Sequence, residues 1–136
     1  MILFVCTGNT CRSPMAAALA RRLGGADADS AGLAAYPGDA ASEGAVRAME
    51  AFGADLSRHE AKQVSLSLME RAQRVYAMTA GHMERLRLLF PGQADKISVL
   101  TPQIPDPFGG SDALYALCAQ RIVEALRQAG IIPMKE

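Results

Sequence analysis

A chain of 136 residues, half of them apolar, with 14 basic and 14 acidic side chains, has the size and composition of one soluble domain, expected to span residues 1–136. A formal charge of zero offers no electrostatic footprint for nucleic acid or an anionic membrane surface. The apolar run Met1–Val5 is too short for a signal peptide or a spanning helix, and three cysteines, two of them five apart, do not make a secreted disulfide framework, so a cytoplasmic protein with reduced thiols is expected.

The first strand is predicted at about 2–6 and the first helix at about 14–23, with Ser13 as N-cap, Pro14 as first helical residue and Gly24-Gly25 as the stop. Between them lies Cys6-Thr7-Gly8-Asn9-Thr10-Cys11-Arg12-Ser13. A strand ends on a cysteine, five residues turn the corner, and an arginine opens a helix. Free N–H groups in such a turn and the positive end of the helix converge on one point, which suits an anion. The same surroundings favour a thiolate over a thiol. Gly8 gives the loop freedom for a positive φ and close backbone approach. Arg12 can fork two phosphate oxygens. Nucleophile, anion cradle and arginine together point to phosphoryl transfer through a phosphocysteine, with Thr7, Gly8, Asn9, Thr10, Cys11, Arg12 and Ser13 as the phosphate-binding set. The alternative for Cys6 is an inert strand cysteine. Cys6 with Cys11 is a poor metal pair, and neither a metal nor a cofactor is expected.

Downstream, 26–30 is a weak, polar strand expected near a sheet edge, and 31–39 is a loop. A helix follows from about 40 to 52, with Ala45, Met49 and Phe52 on its apolar face, and 54–64 is irregular. A short helix from Ser65 or Ser67 to Ala72 precedes a third strand over 74–78. Thr79 caps the next helix, where Met83, Leu86 and Phe90 share a face. The fourth strand is 96–100. Thr101–Gly110 carries three prolines and two glycines and is a loop at a strand's carboxyl end. Ser111 caps a last helix to about Ala129, with Leu114, Leu117, Cys118, Ile122 and Leu126 buried and Asp112 complementing the helix dipole. This alternation predicts an α/β fold, a parallel sheet with helices on both faces. Sites in such sheets form beyond the strands' carboxyl ends, so the loops after strands one, three and four share an edge with Cys6.

A phosphocysteine route needs an acid for the leaving group and later a base for water. Asp106, between Pro105 and Pro107, is the candidate, and an ordinary turn former is its alternative. Ser13 can also donate to the Cys6 sulfur and ease its departure.

Cys6-x5-Arg12-Ser13 near the N-terminus, combined with Asp106-Pro107, resembles the low-molecular-weight protein tyrosine phosphatase family over nearly the whole chain. Within it, Cys6–Pro14 with Asp106-Pro-Phe-Gly-Gly-Ser111 looks most like the protein-arginine phosphatase branch. The resemblance implies a three-layer α/β/α fold with a central four-stranded parallel sheet, and phosphorylated protein substrates handled by a monomer. It places Asp106 as general acid, and Ser30 and His59 as supports, with Ser13, for the loop residue Asn9. The tyrosine branch carries an aliphatic residue at the Thr10 position and paired aromatics after Asp-Pro, whereas here Phe108 is followed by Gly109. Thr10, Asp106 and Phe108 could give a guanidinium a hydroxyl, a carboxylate and a cation–π wall; the alternative is that Thr10 is an isosteric variant. Leu33 and Tyr36 are placed on the opposite wall by family position. Cys6 and Cys11 are close enough for a protective redox disulfide, or Cys11 is simply packed. His82 receives no role. Rival functions are a tyrosine phosphatase, an arsenate reductase and a non-catalytic phosphate-binding module.

Overall fold

The structure is a computed structural model in which residues 1–134 are described. Four strands, β1 (Ile2–Cys6), β2 (Ala28–Gly32), β3 (Arg74–Ala77) and β4 (Ile97–Val99), form one sheet in the order β2-β1-β3-β4. Every pairing is parallel; Cys6 stands beside Gly32, and Phe4 lies between Ser30 and Tyr76. The polar second strand is at an edge, as its composition predicts.

β1 is central and buried along its length, and its alternating side chains feed two cores. Ile2, Phe4 and Cys6 pack with α1 (Arg12–Gly24), Ala45 and Met49 of α2 (Glu43–Glu50), and α5 (Asp112–Gln128). Leu3 and Val5 pack with Leu68 and Met69 of α3 (Leu66–Arg71) and Leu86 of α4 (Ala80–Leu89). This is the three-layer α/β/α arrangement.

Three helix starts follow the expected chemistry. The hydroxyls of Ser65, Thr79 and Ser111 accept the N–H groups of Leu68, His82 and Leu114. The first helix departs from expectation. It begins at Arg12, Cys11 occupies the cap position without a side-chain bond, and Ser13 is already helical. The Ser13 hydroxyl is engaged instead with Cys6 Sγ and the Asn9 amide, both at 2.9 Å. Helix α2 is shorter than predicted, since Ser42 ahead of it pairs instead with the Cys6–Arg12 loop: its N–H and Oγ both reach the Thr10 carbonyl, at 2.9 and 3.3 Å. Leu114 and Leu117, expected in the core, are 42% and 45% exposed. The face of α5 that packs is Tyr115, Cys118, Ile122 and Leu126. Asp112 does more than meet the helix dipole, because Arg47 on α2 grips its carboxylate with Nε and Nη2 at 2.9–3.1 Å.

Candidate active site

The loop between β1 and α1 is held from outside by its carbonyls. Leu33 N–H donates to Cys6 O, Ala34 N–H to Thr7 O and Ser42 N–H to Thr10 O, each at 2.9 Å. His59 Nε2 donates to Asn9 O at 2.7 Å. A carbonyl can only accept, so the proton of His59 is on Nε2. The N–H groups of Thr7 to Cys11 have no backbone acceptor among the described residues. With their carbonyls turned outward, these donors line the inside of the curl at the start of α1, an anion nest.

Asn9 is the knot that makes the curl. It is fully buried and sits at φ +57°, so it, and not Gly8, carries the left-handed residue of the loop; asparagine tolerates that region better than most side chains. Its amide donates to Ser13 Oγ and Ser30 Oγ, both at 2.9 Å, and its oxygen accepts Lys62 N–H at 2.9 Å. Ser13, Ser30 and His59 therefore all meet Asn9. Gly32 permits this closeness, because a Cβ there would run into Thr7 O and Asn9 N.

Cys6 Sγ lies 2.9 Å from Ser13 Oγ at the floor of a cavity of about 350 Å³. The lining includes Thr7, Gly8, Thr10, Cys11 and Arg12 from the loop, Ala34, Tyr36 and Asp39 from the segment after β2, and Asp106 and Phe108 from the segment before α5. Asn9 and Ser13 lie behind the wall. Tyr36 reaches the rim, whereas Leu33 packs against the α3/α4 core. Phe108 is 70% exposed at the mouth.

Arg12 is buried, and its guanidinium is only partly satisfied. Nη1 donates to Ile104 O at 3.1 Å, Nη2 stands 3.7 Å from Asp106 Oδ2, and Nε is buried without a partner. A buried cation with an orphan donor beside a nest of free N–H groups has a clear complement, a multivalent oxyanion. Asp106 uses its two oxygens differently. Oδ1 accepts Phe108 N–H at 3.0 Å, the ordinary turn role, while Oδ2 faces Arg12. The turn contact and the approach to Arg12 thus belong to one side chain.

Cys11 Sγ sits 3.2 Å from Ser42 Oγ and 3.5 Å from Tyr115 OH, and burial raises the tyrosine's pKa. Cys6, Cys11 and Cys118 are all free thiols. Burial pushes the Cys118 thiol up to about 12, in keeping with a core residue and not a redox relay.

Two residues at the site are absent from the motif reading. Asp39 adds a second carboxylate to the cavity; it follows Pro37-Gly38 and has no motif of its own. His82 Nε2 lies 2.9 Å from Thr7 Oγ1 and Nδ1 lies 3.0 Å from Thr79 Oγ1. Its place early in a helix gave no sign of this, because the contact to Thr7 depends on how β3 and β1 pair.

A sulfur under an oxyanion nest, with a carboxylate at the mouth where a leaving group would depart, is the arrangement of a cysteine-dependent phosphatase. The sequence pattern described as "Low molecular weight phosphotyrosine protein phosphatase" matches residues 1–130, and the chain belongs to that family. Among its relatives are the protein-arginine-phosphatase of Geobacillus stearothermophilus, 41% identical over 84% of this chain and 82% of the relative, and that of Bacillus subtilis strain 168, 39% identical over 93% and 92%. The fold also superposes at a TM-score of 0.88, with 36% identity, on a YwlE arginine phosphatase mutant bearing a phosphorylated active-site serine, over 94% of this chain and 91% of the other.

Proposed function

We propose that this enzyme hydrolyses phosphoarginine on proteins through a phosphocysteine. Cys6 attacks phosphorus while the loop N–H groups and Arg12 hold the equatorial oxygens. Asp106 protonates the departing guanidine nitrogen. Asp106 then takes a proton from water, which displaces the Cys6 sulfur, and Ser13 stabilises that sulfur as a thiolate. Asn9, backed by Ser30 and His59, keeps the donors aimed.

The observation that carries the substrate choice is the set of hydrogen-bond acceptors placed around the cavity above the sulfur. Thr7 and Thr10 bring hydroxyls, and Asp39 and Asp106 bring carboxylates. A cationic, planar guanidinium finds acceptors there, with Phe108 and Tyr36 as flat walls. A phenol ring would leave those polar groups unpaired. The names of the two relatives above support the same reading. Phosphotyrosine is the second reading, favoured by the two aromatic rings at the mouth and by the family's description.

Cys6 and Cys11 both line the cavity, which supports a reversible disulfide under oxidation, formed once Cys11 leaves Ser42 and Tyr115. Mass spectrometry after mild peroxide treatment would detect it as a loss of two hydrogens, reversed by thiol. The substrate reading is tested by assaying phosphoarginine and phosphotyrosine peptides side by side. A higher kcat/KM on phosphoarginine is expected; a preference for phosphotyrosine would overturn it.

A further inference from the structure

We propose that His82 is a positioning residue for the Thr7 hydroxyl, and that its charge state tunes the cavity for or against a cationic leaving group. The inference rests on phosphoarginine as substrate.

Thr7 lines the cavity, and its backbone is fixed by the Ala34 N–H bond to its carbonyl. Its hydroxyl is held by His82 Nε2 at 2.9 Å. The imidazole is held at its other end as well, since Nδ1 lies 3.0 Å from Thr79 Oγ1, the same oxygen that caps α4 by accepting His82 N–H at 3.3 Å. The helix start is tied in turn to the acid-bearing segment, where Gln103 Oε1 accepts Ala80 N–H at 2.8 Å. A string of fixed contacts therefore runs from the segment that carries Asp106, through α4 and His82, to one wall of the cavity.

A hydroxyl has one proton and two lone pairs, and a neutral imidazole has one N–H and one lone pair. In the neutral tautomer whose proton is on Nδ1, donated to Thr79 Oγ1, Nε2 accepts: the Thr7 proton points at His82 and the oxygen's lone pairs are left for the cavity. That suits the N–H groups of a guanidinium. An imidazolium can only donate. The Thr7 proton is then turned toward the cavity, against those same N–H groups, and a second cation stands near Arg12. A phosphate ester with a neutral or anionic leaving group suffers neither effect.

The neutral ring is the favoured form. Burial and the Arg12 guanidinium on α1 hold His82 below the usual histidine value, and Asp106 on the segment before α5 pulls the other way. Cys6 on β1, Cys11 in the loop, and Tyr36 and Asp39 in the segment after β2 are the other titratable groups that line the cavity.

The test compares wild type, His82→Gln and His82→Ala on a phosphoarginine peptide and on p-nitrophenyl phosphate, from about pH 5.5 to 8. Glutamine keeps a donor and an acceptor but does not titrate. For wild type, the ratio of kcat/KM on phosphoarginine to that on the ester is expected to fall several-fold as pH drops through the histidine range. The glutamine variant should match wild type near the alkaline end and hold its ratio below. The alanine variant should lose several-fold on phosphoarginine at every pH and less on the ester. Ionisation of the two substrates is common to all three proteins, so the difference in their ratio between proteins isolates His82. A glutamine variant whose ratio tracks wild type across the range overturns the titration, and an alanine variant unchanged on both substrates overturns the positioning. Wild type that turns over the ester but not phosphoarginine overturns the substrate reading, and this inference with it.

Discussion

Replacing Asn9 with alanine removes the knot of the anion loop, and the structure allows the cost to be worked out. Ser13 Oγ keeps Cys6 Sγ at 2.9 Å and Ala31 O at 3.4 Å, so it is not orphaned. Ser30 Oγ and Lys62 N–H lose the partner they have in Asn9. A buried polar group stranded in this way costs about 1–3 kcal/mol, less for the Lys62 amide, whose contact is only partly buried. Alanine held at φ +57° adds roughly 1–2 kcal/mol of left-handed backbone strain. The sum is on the order of 3–4 kcal/mol, equivalent to a fall in Tm of about 10 °C for a domain of this size. Asn9→Gly suffers the same lost bonds without the strain and should be about 1 kcal/mol less harmed. Urea unfolding of the three proteins gives the stabilities, and kcat/KM should drop by about 100-fold in both variants as the loop donors lose their aim. If both variants unfold within about 1 kcal/mol of wild type and retain activity, the loop is set by something other than Asn9 and the reasoning fails.

Ser13→Ala should slow release of phosphate from Cys6 about 10- to 100-fold, the equivalent of one hydrogen bond to a charged sulfur; an enlarged burst of p-nitrophenol from p-nitrophenyl phosphate in rapid-mixing kinetics checks it. Asp106→Asn should lower kcat on phosphoarginine by about 10²- to 10⁴-fold while the fold is kept, as measured by steady-state assay and a thermal melt. His59 is held below its ordinary value mainly by burial, with the hydrogen bond to Asn9 opposing. The unfolded chain therefore takes up that proton first. Stability should be level above about pH 6.5 and fall as pH drops through the His59 value, a slope that Tm measured against pH would show reduced in His59→Gln. Gly44→Ala should destabilise by about 1–3 kcal/mol, because a Cβ on α2 would overlap the Tyr115 ring that packs against Cys11.

The proposed catalytic trio of Cys6, Arg12 and Asp106 was legible because each member carries a local chemical signature. A cysteine ending an apolar run and an arginine six residues on need no tertiary knowledge to suggest an oxyanion site, and Asp106 announces itself by its proline-flanked loop. The strand order was legible only in part: the polarity of 28–32 marks an edge, but nothing local says that β3 lies on the other side of β1. That pairing is what brings His82 to Thr7, so His82 stayed hidden. Asp39 stayed hidden for a similar reason, since an aspartate after Pro-Gly reads as a turn until the fold closes the cavity over it. Ser13 was misread as a cap because local rules see a serine before a proline; the competing claim on its hydroxyl comes from Cys6 and Asn9. Gly8 was credited with a backbone conformation that Asn9 adopts, because glycine is the default for positive φ and only the buried network repays an asparagine there. Leu114 and Leu117 fit a helical stripe, yet α5 packs through the neighbouring stripe centred on Tyr115, Cys118 and Ile122.

The claim that matters most is that the acceptors around the cavity above Cys6, Thr10 among them, select a guanidinium, and Thr10→Ile tests it most directly. The side chain lines the cavity without touching the Asn9 network, so the change should leave the phosphate site and the fold intact. The ratio of kcat/KM on phosphoarginine to that on phosphotyrosine, measured on matched peptides, should fall at least 10-fold, roughly the 1.4 kcal/mol of a single well-placed hydrogen bond. An unchanged ratio in a folded, active variant would contradict the account.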